Sequence, residues 1–225
     1  MSSQDGQLTP QYHQLLLDFG PGSQPMTEAV SCLSDLYQEN SAAPPVVGAF
    51  EYWRQYRESP ACGGPASPTI FVEHTYLALL TRLVVYHRLR PPRAPVSIEE
   101  LWKVVNGDWF VGLALENFLS EDFFTWPFFR RSLGIGPDHD AIGVVRDLSS
   151  RLSQFDIAQS PPSLLTGLFH QLALNEEAGP QDPPVWLAEF LLEDRLELAQ
   201  RPEQSVLDPS CGAGTILAAA ISIKV

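Results

Sequence analysis

The stretch that most constrains this chain runs from Thr69 to Leu89, the longest helix the sequence predicts. Val72, Tyr76, Leu79, Leu80, Leu83 and Tyr86 alternate with Leu77, Val84 and Val85, so a helix here is apolar nearly all round. Such a helix has to be covered on every side, which makes it the centre of its domain. The Gly- and Pro-rich segment from Pro60 to Pro68 ahead of it reads as a loop. Arg82, Arg88, Arg90 and Arg93, with His87, form the one basic concentration. They either suit the helix macrodipole at its C-terminal end or touch a nucleic-acid backbone, and the first reading is preferred. His74 and His87 lack flanking Cys or acid at ligand spacing, so no metal site is expected.

Helical spacing recurs along the rest of the chain. Gln7 to Phe19 places Tyr12, Leu15, Leu16 and Phe19 on one face and stops at Gly20-Pro21-Gly22. Thr27 to Gln38 does the same with Ala29, Val30, Leu33, Leu36 and Tyr37. After a linker from Asn40 to Pro45, Phe50 to Tyr56 carries an aromatic stripe, expected to pack rather than to stack on bases beside Arg54 and Arg57. Ser97 and Glu100 have the spacing of a capping box, and Asn106-Gly107 closes the helix they open. Further helices are predicted from Asp140 to Phe155 and from Ser163 to Leu174. The last begins in Pro183 and Pro184, with Asp182 as its N-cap and Trp186, Leu187, Phe190, Leu191 and Leu198 as its buried face. Between these lies a block of aromatics and acids, in which Phe118, Phe123, Phe124 and Trp126 weld helices together. Asp108, Glu116, Glu121 and Asp122 are read as caps and loop acids, since no Glu-x-Lys follows them as in metal-dependent nucleases.

The length of 225 residues allows one domain or two small ones. A net charge of −13 argues against a main DNA-gripping surface, because phosphate contacts need clustered Lys and Arg. Cys32, Cys62 and Cys211 lie far apart, which indicates neither a disulfide framework nor a zinc site. No apolar run reaches the roughly eighteen residues of a membrane span, and the polar start Met1 to Gly6 is no secretory signal. No membrane partner is expected, and a cytoplasmic protein is.

One segment departs from the helical pattern. Val206-Leu207-Asp208 is a short apolar run ending in an acid, Pro209 to Gly214 is glycine-punctuated, and Thr215 to Ile221 is a good helix former. This reads as strand, tight loop, helix. Gly212 and Gly214 tolerate positive φ and leave the backbone open to a ligand, and the first-turn N–H groups of the helix suit a carboxylate or phosphate. Asp208 falls where open α/β sheets place ligands.

The string Asp208-Pro209-Ser210-Cys211-Gly212-Ala213-Gly214-Thr215-Ile216-Leu217 resembles the D-P-x-C-G-x-G-x-x-L motif of N6-adenine DNA methyltransferases, found in type I modification subunits and fused restriction-methylation enzymes. In that family the loop holds the methionine end of S-adenosylmethionine. The resemblance implies that Asp208, Gly212, Ala213 and Gly214 line the cofactor pocket, with Pro209 and Cys211 of the same string among the binding positions. Upstream, Gly179 to Val185 falls where the family has G-x-F-Y-T-P. Gly179 and Pro184 match and are carried over as cofactor-binding, whereas Gln181, Asp182 and Pro183 replace the aromatic pair and the threonine. Ser163 to Leu174 resembles the family's short helix before that segment, and residues 68 to 130 are similar to the helical region preceding the core of the fused enzymes.

The helical patterns predict a mainly α fold, a multi-helix domain, and the resemblance implies that its C-terminal strand-loop-helix stub belongs to an incomplete α/β methyltransferase sheet. Its segments are 1–45 (N-terminal helices and linker), 46–200 (helical domain) and 201–225 (start of the α/β domain). The family's catalytic Asn/Asp-Pro-Pro-aromatic tetrapeptide is not found. Asp182-Pro183-Pro184-Val185 mimics it, but Val185 stands in place of the aromatic that stacks on a flipped base, so no catalytic residue is named. The function implied is the N-terminal part of an S-adenosylmethionine-dependent adenine-specific DNA methyltransferase of a restriction-modification system, not competent alone, with DNA as partner of the complete enzyme. An edge strand at Ser205 to Asp208 calls for a homodimer or a complementing methyltransferase half. The alternative is a stand-alone helical protein-interaction module in which the glycine loop is a structural turn.

Overall fold

A computed structural model of the protein describes residues 10–59, 64–90, 96–113, 115, 123–157, 183–208 and 214–224. The described residues are mainly helical, and none of them lies in a β-ladder. The chain packs in two units, one of residues 21–159 and one of residues 1–20 with 160–225.

In the first unit, helices α2 (Gln24–Asn40), α3 (Pro44–Arg57), α4 (Pro68–Leu89), α5 (Ile98–Val105) and α6 (Asp108–Val111) follow α1 (Pro10–Phe19), which belongs to the second unit. A 3-10 turn, Phe123–Phe128, then runs into α7 (Phe129–Ser132), and α8 (His139–Leu152) closes the unit. The helix expected at the centre is there: α4 packs against α2, α3, α5, α8 and the 3-10 turn. Its buried positions, from Phe71 and Val72 through Leu83, Val84 and Tyr86, cover more than half of its circumference, and Leu77 and Val85 on the remaining side are half-buried. Serine side chains start three of these helices, Ser23, Ser67 and Ser97 accepting from the N–H of Met26, Ile70 and Glu100 at 3.2, 3.3 and 3.1 Å. Each satisfies one N–H that the helix itself leaves without an acceptor. Gly107, with φ of 87°, turns the chain from α5 into α6 as Asn106-Gly107 predicts.

Aromatic rings fill the space between α2, α3, α4 and the 3-10 turn. Trp126 stacks on Phe71 at 5.9 Å between centroids, and Tyr37 meets Phe50, Phe71 and Trp126 edge-on. The indole of Trp126 also donates to Thr75 Oγ1 at 2.9 Å, and that hydroxyl donates to the Phe71 carbonyl at 2.8 Å. A buried ring is thereby held with its one polar atom satisfied. Phe123, Phe124 and Trp126 do weld elements together; Phe118, and the helix predicted from Ser163 to Leu174, lie outside the described residues.

The second unit contains α1 (Pro10–Phe19), in which Leu15, Leu16 and Phe19 are buried as their spacing predicts. It also contains α9 (Val185–Phe190), a single π turn (Leu191–Arg195), a 3-10 turn (Leu198–Gln200) and α10 (Thr215–Lys224). Ala188, Leu192, Leu198, Ala219 and Ala220 form its small core, with Val206, Ile216 and Ile223 against them.

Two expectations for α9 need correction. Its buried face is Ala188 and Leu192, whereas Trp186 is 66% exposed and Phe190 and Leu191 are also outside. Trp186 and Phe190 stand one turn apart on the same side of α9, and that side faces away from the small core, while Leu198 is buried as predicted, from the 3-10 turn. The helix also starts later than predicted. Pro184 is its N-cap in extended conformation (φ −61°, ψ 148°), and its carbonyl accepts from Leu187 and Ala188, so Pro183 and Pro184 precede the first turn. Among the described residues no helix is long and apolar enough to cross a membrane.

Candidate functional site: the glycine loop

The segment leading into the loop, Ser205 to Asp208, is in neither helix nor strand. Val206 turns inward against the core of its unit, and Leu207 points the other way, 88% exposed. Ser205 to Asp208 has no ladder partner among the described residues. Asp208 is half-buried at the end of the segment. Pro209, Cys211, Gly212 and Ala213 lie outside the described residues, as does Gly179.

Gly214 is described, and it occupies the position where α10 begins. Its carbonyl accepts from the Ala218 N–H at 2.8 Å, the first bond of the helix, which makes it the N-cap. Its φ is +87°, a conformation that glycine adopts freely and a residue with a Cβ does not. A Cβ built there meets no described atom within 4 Å, and the backbone angle by itself calls for glycine. The N–H groups of Thr215, Ile216 and Leu217 begin α10 and by geometry have no acceptor inside it. No acid sits in that first turn to occupy the positive end of the helix. At the far end Lys224 Nζ donates to the Gln204 carbonyl, tying the helix back to the turn before that segment.

Of the residues predicted for the site, Asp208, Gly214 and Pro184 are described. Asp208 and Gly214 flank the loop, and α9, which Pro184 opens, packs against α10, which Gly214 opens. Pro184 itself is exposed and makes no side-chain cap.

The other candidate constellations resolve into packing. Arg82 is buried and donates to the Val105 carbonyl at 2.5 Å, and Arg90 lies 3.2 Å from Glu100 and 5.4 Å from the centroid of the Tyr86 ring. Both join α4 to α5, Arg93 lies outside the described residues, and Arg88 is exposed. Glu100 thus makes only half of the predicted capping box. Its carboxylate takes the Tyr86 hydroxyl at 2.9 Å as well as Arg90, and so turns toward α4 and away from the Ser97 N–H. Burial, and to a lesser degree the Glu100 hydrogen bond, push the Tyr86 phenol well above its ordinary range.

His87 lies 3.0 Å from Ser149 Oγ, joining α4 to α8, and burial, with the charge of Arg90 second, pushes its pKa down to about 4. The α3 stripe divides: Trp53 and Phe50 pack on Phe71, while Tyr52 and Tyr56 are exposed beside Phe123. Arg54 is held by Glu51 and Glu58 at 2.6 and 3.0 Å. Asp108 is engaged by the Asn106 side chain, and Glu116, Glu121 and Asp122 lie outside the described residues.

One feature has no signature in the sequence. Ile98, Trp102, Phe128, Pro137 and Ile142 line a recess of about 120 Å³ between α5 and the start of α8, with Arg131 4.9 Å from the centroid of the Trp102 ring. Its walls come from residues up to forty-four positions apart, which no local pattern links. It is smaller than the several hundred Å³ typical of a cofactor pocket.

Compared with protein-family models, with curated proteins and with solved structures, the chain matches none.

Proposed function

We propose that this chain is the N-terminal, mainly helical part of an S-adenosylmethionine-dependent adenine-specific DNA methyltransferase, and that residues 206–217 are the entry strand, loop and helix of its cofactor site. The single observation that carries the reading is Gly214, a left-handed glycine at the N-cap of α10, at the second glycine of the D-P-x-C-G-x-G string. The outward Leu207 and inward Val206 support it further, because a strand apolar on both faces belongs inside an α/β sheet.

The residues present fit one end of the cofactor. No described atom lies within 4 Å of a Cβ built at Gly214, and the first-turn N–H groups of α10 suit a carboxylate. The Asp208 carboxylate, at the end of the segment leading into the loop, suits an ammonium group. S-adenosylmethionine, when bound, supplies an electrophilic methyl group on a sulfonium. With Val185 in place of a stacking aromatic, the role assigned to these 225 residues is binding and support, not methyl transfer. DNA is the proposed partner of the complete enzyme, and a second copy or a complementing methyltransferase half is the proposed partner of Ser205 to Asp208.

The test is photocrosslinking of methyl-labelled S-adenosylmethionine followed by peptide mapping. Label is expected in the peptide spanning residues 202–224 and is expected to be displaced by S-adenosylhomocysteine. Label confined to other peptides overturns the assignment.

A second reading, a non-catalytic protein-interaction module, is favoured by the exposed Trp186, Leu207 and Ile221 of the second unit. It expects no displaceable label anywhere in the chain.

A further inference from the structure

We draw no further inference here: the strongest candidate, the apolar recess between α5 and the start of α8 lined by Ile98, Trp102, Phe128, Pro137 and Ile142, is an unpartnered face, and nothing in the structure shows what covers it.

Discussion

His87 makes the stability of the helical unit depend on pH in a way that can be calculated. It bridges α4 and α8 through Ser149 at 3.0 Å, and burial lowers its pKa from 6.5 to about 4. In the unfolded chain the imidazole takes up a proton near pH 6.5, whereas in the fold it stays neutral until about pH 4. Between those values the unfolded state binds more protons, so stability falls as the pH falls. The full contribution, present above pH 6.5 and gone below pH 4, is about 3 kcal/mol, of which about 2 kcal/mol is lost between pH 7 and pH 5. The excess of carboxylates acts in the opposite direction as it is neutralised, so the comparison has to be with a variant that keeps those carboxylates. His87→Gln retains a group able to bond Ser149 and does not titrate. Urea unfolding of both proteins, followed by tryptophan fluorescence at pH 7 and pH 5, gives the difference directly. The wild-type chain is expected to lose about 2 kcal/mol relative to His87→Gln over that interval. A difference that is the same at both pH values refutes the buried, neutral imidazole.

Two further substitutions test the packing in the same assay. Thr75→Val keeps the volume but leaves the Trp126 indole N–H buried without its acceptor, and a loss of about 1–3 kcal/mol is expected. Gly143→Ala falls inside α8, where a Cβ meets nothing within 4 Å, and is expected to stabilise the protein by about 0.5–1 kcal/mol.

What the sequence made legible was whatever depends on local chemistry or uniform periodicity. The apolar circumference of Thr69 to Leu89 leaves a helix no option but the centre, and Ser97 with Asn106-Gly107 marks its helix at both ends. The positive φ of Gly214 was legible for the same reason, since a glycine at the entry to a helix tolerates the turn the backbone makes there. Long-range competition was not legible. The spacing of Ser97 and Glu100 predicts a closed capping box, but a phenol and a guanidinium from α4 outbid the Ser97 N–H for the carboxylate. Arg82 and Arg90 look in sequence like a basic patch because nothing local says that one is buried against the Val105 carbonyl and the other is paired with an acid ten residues away. The Trp186 face was misplaced because the residue of α9 that packs in the core is Ala188, too small to stand out in an apolar pattern that also holds Trp186 and Phe190. Ser23 and Ser67, each followed within two residues by proline, carried a helix-start signal that marks α2 and α4 several residues or one residue earlier than their apolar periodicity does.

The central claim is that Asp208 and Gly214 frame one end of an S-adenosylmethionine site. Calorimetric titration of S-adenosylmethionine into the purified chain, repeated with Asp208→Asn, tests it most directly. The expected result is saturable binding with Kd below about 1 mM, equivalent to about −4 kcal/mol, displaced by S-adenosylhomocysteine and weakened by Asp208→Asn in a protein whose helical content is unchanged. No saturable heat, or binding that is indifferent to Asp208→Asn, contradicts the claim and leaves the glycine loop as a turn.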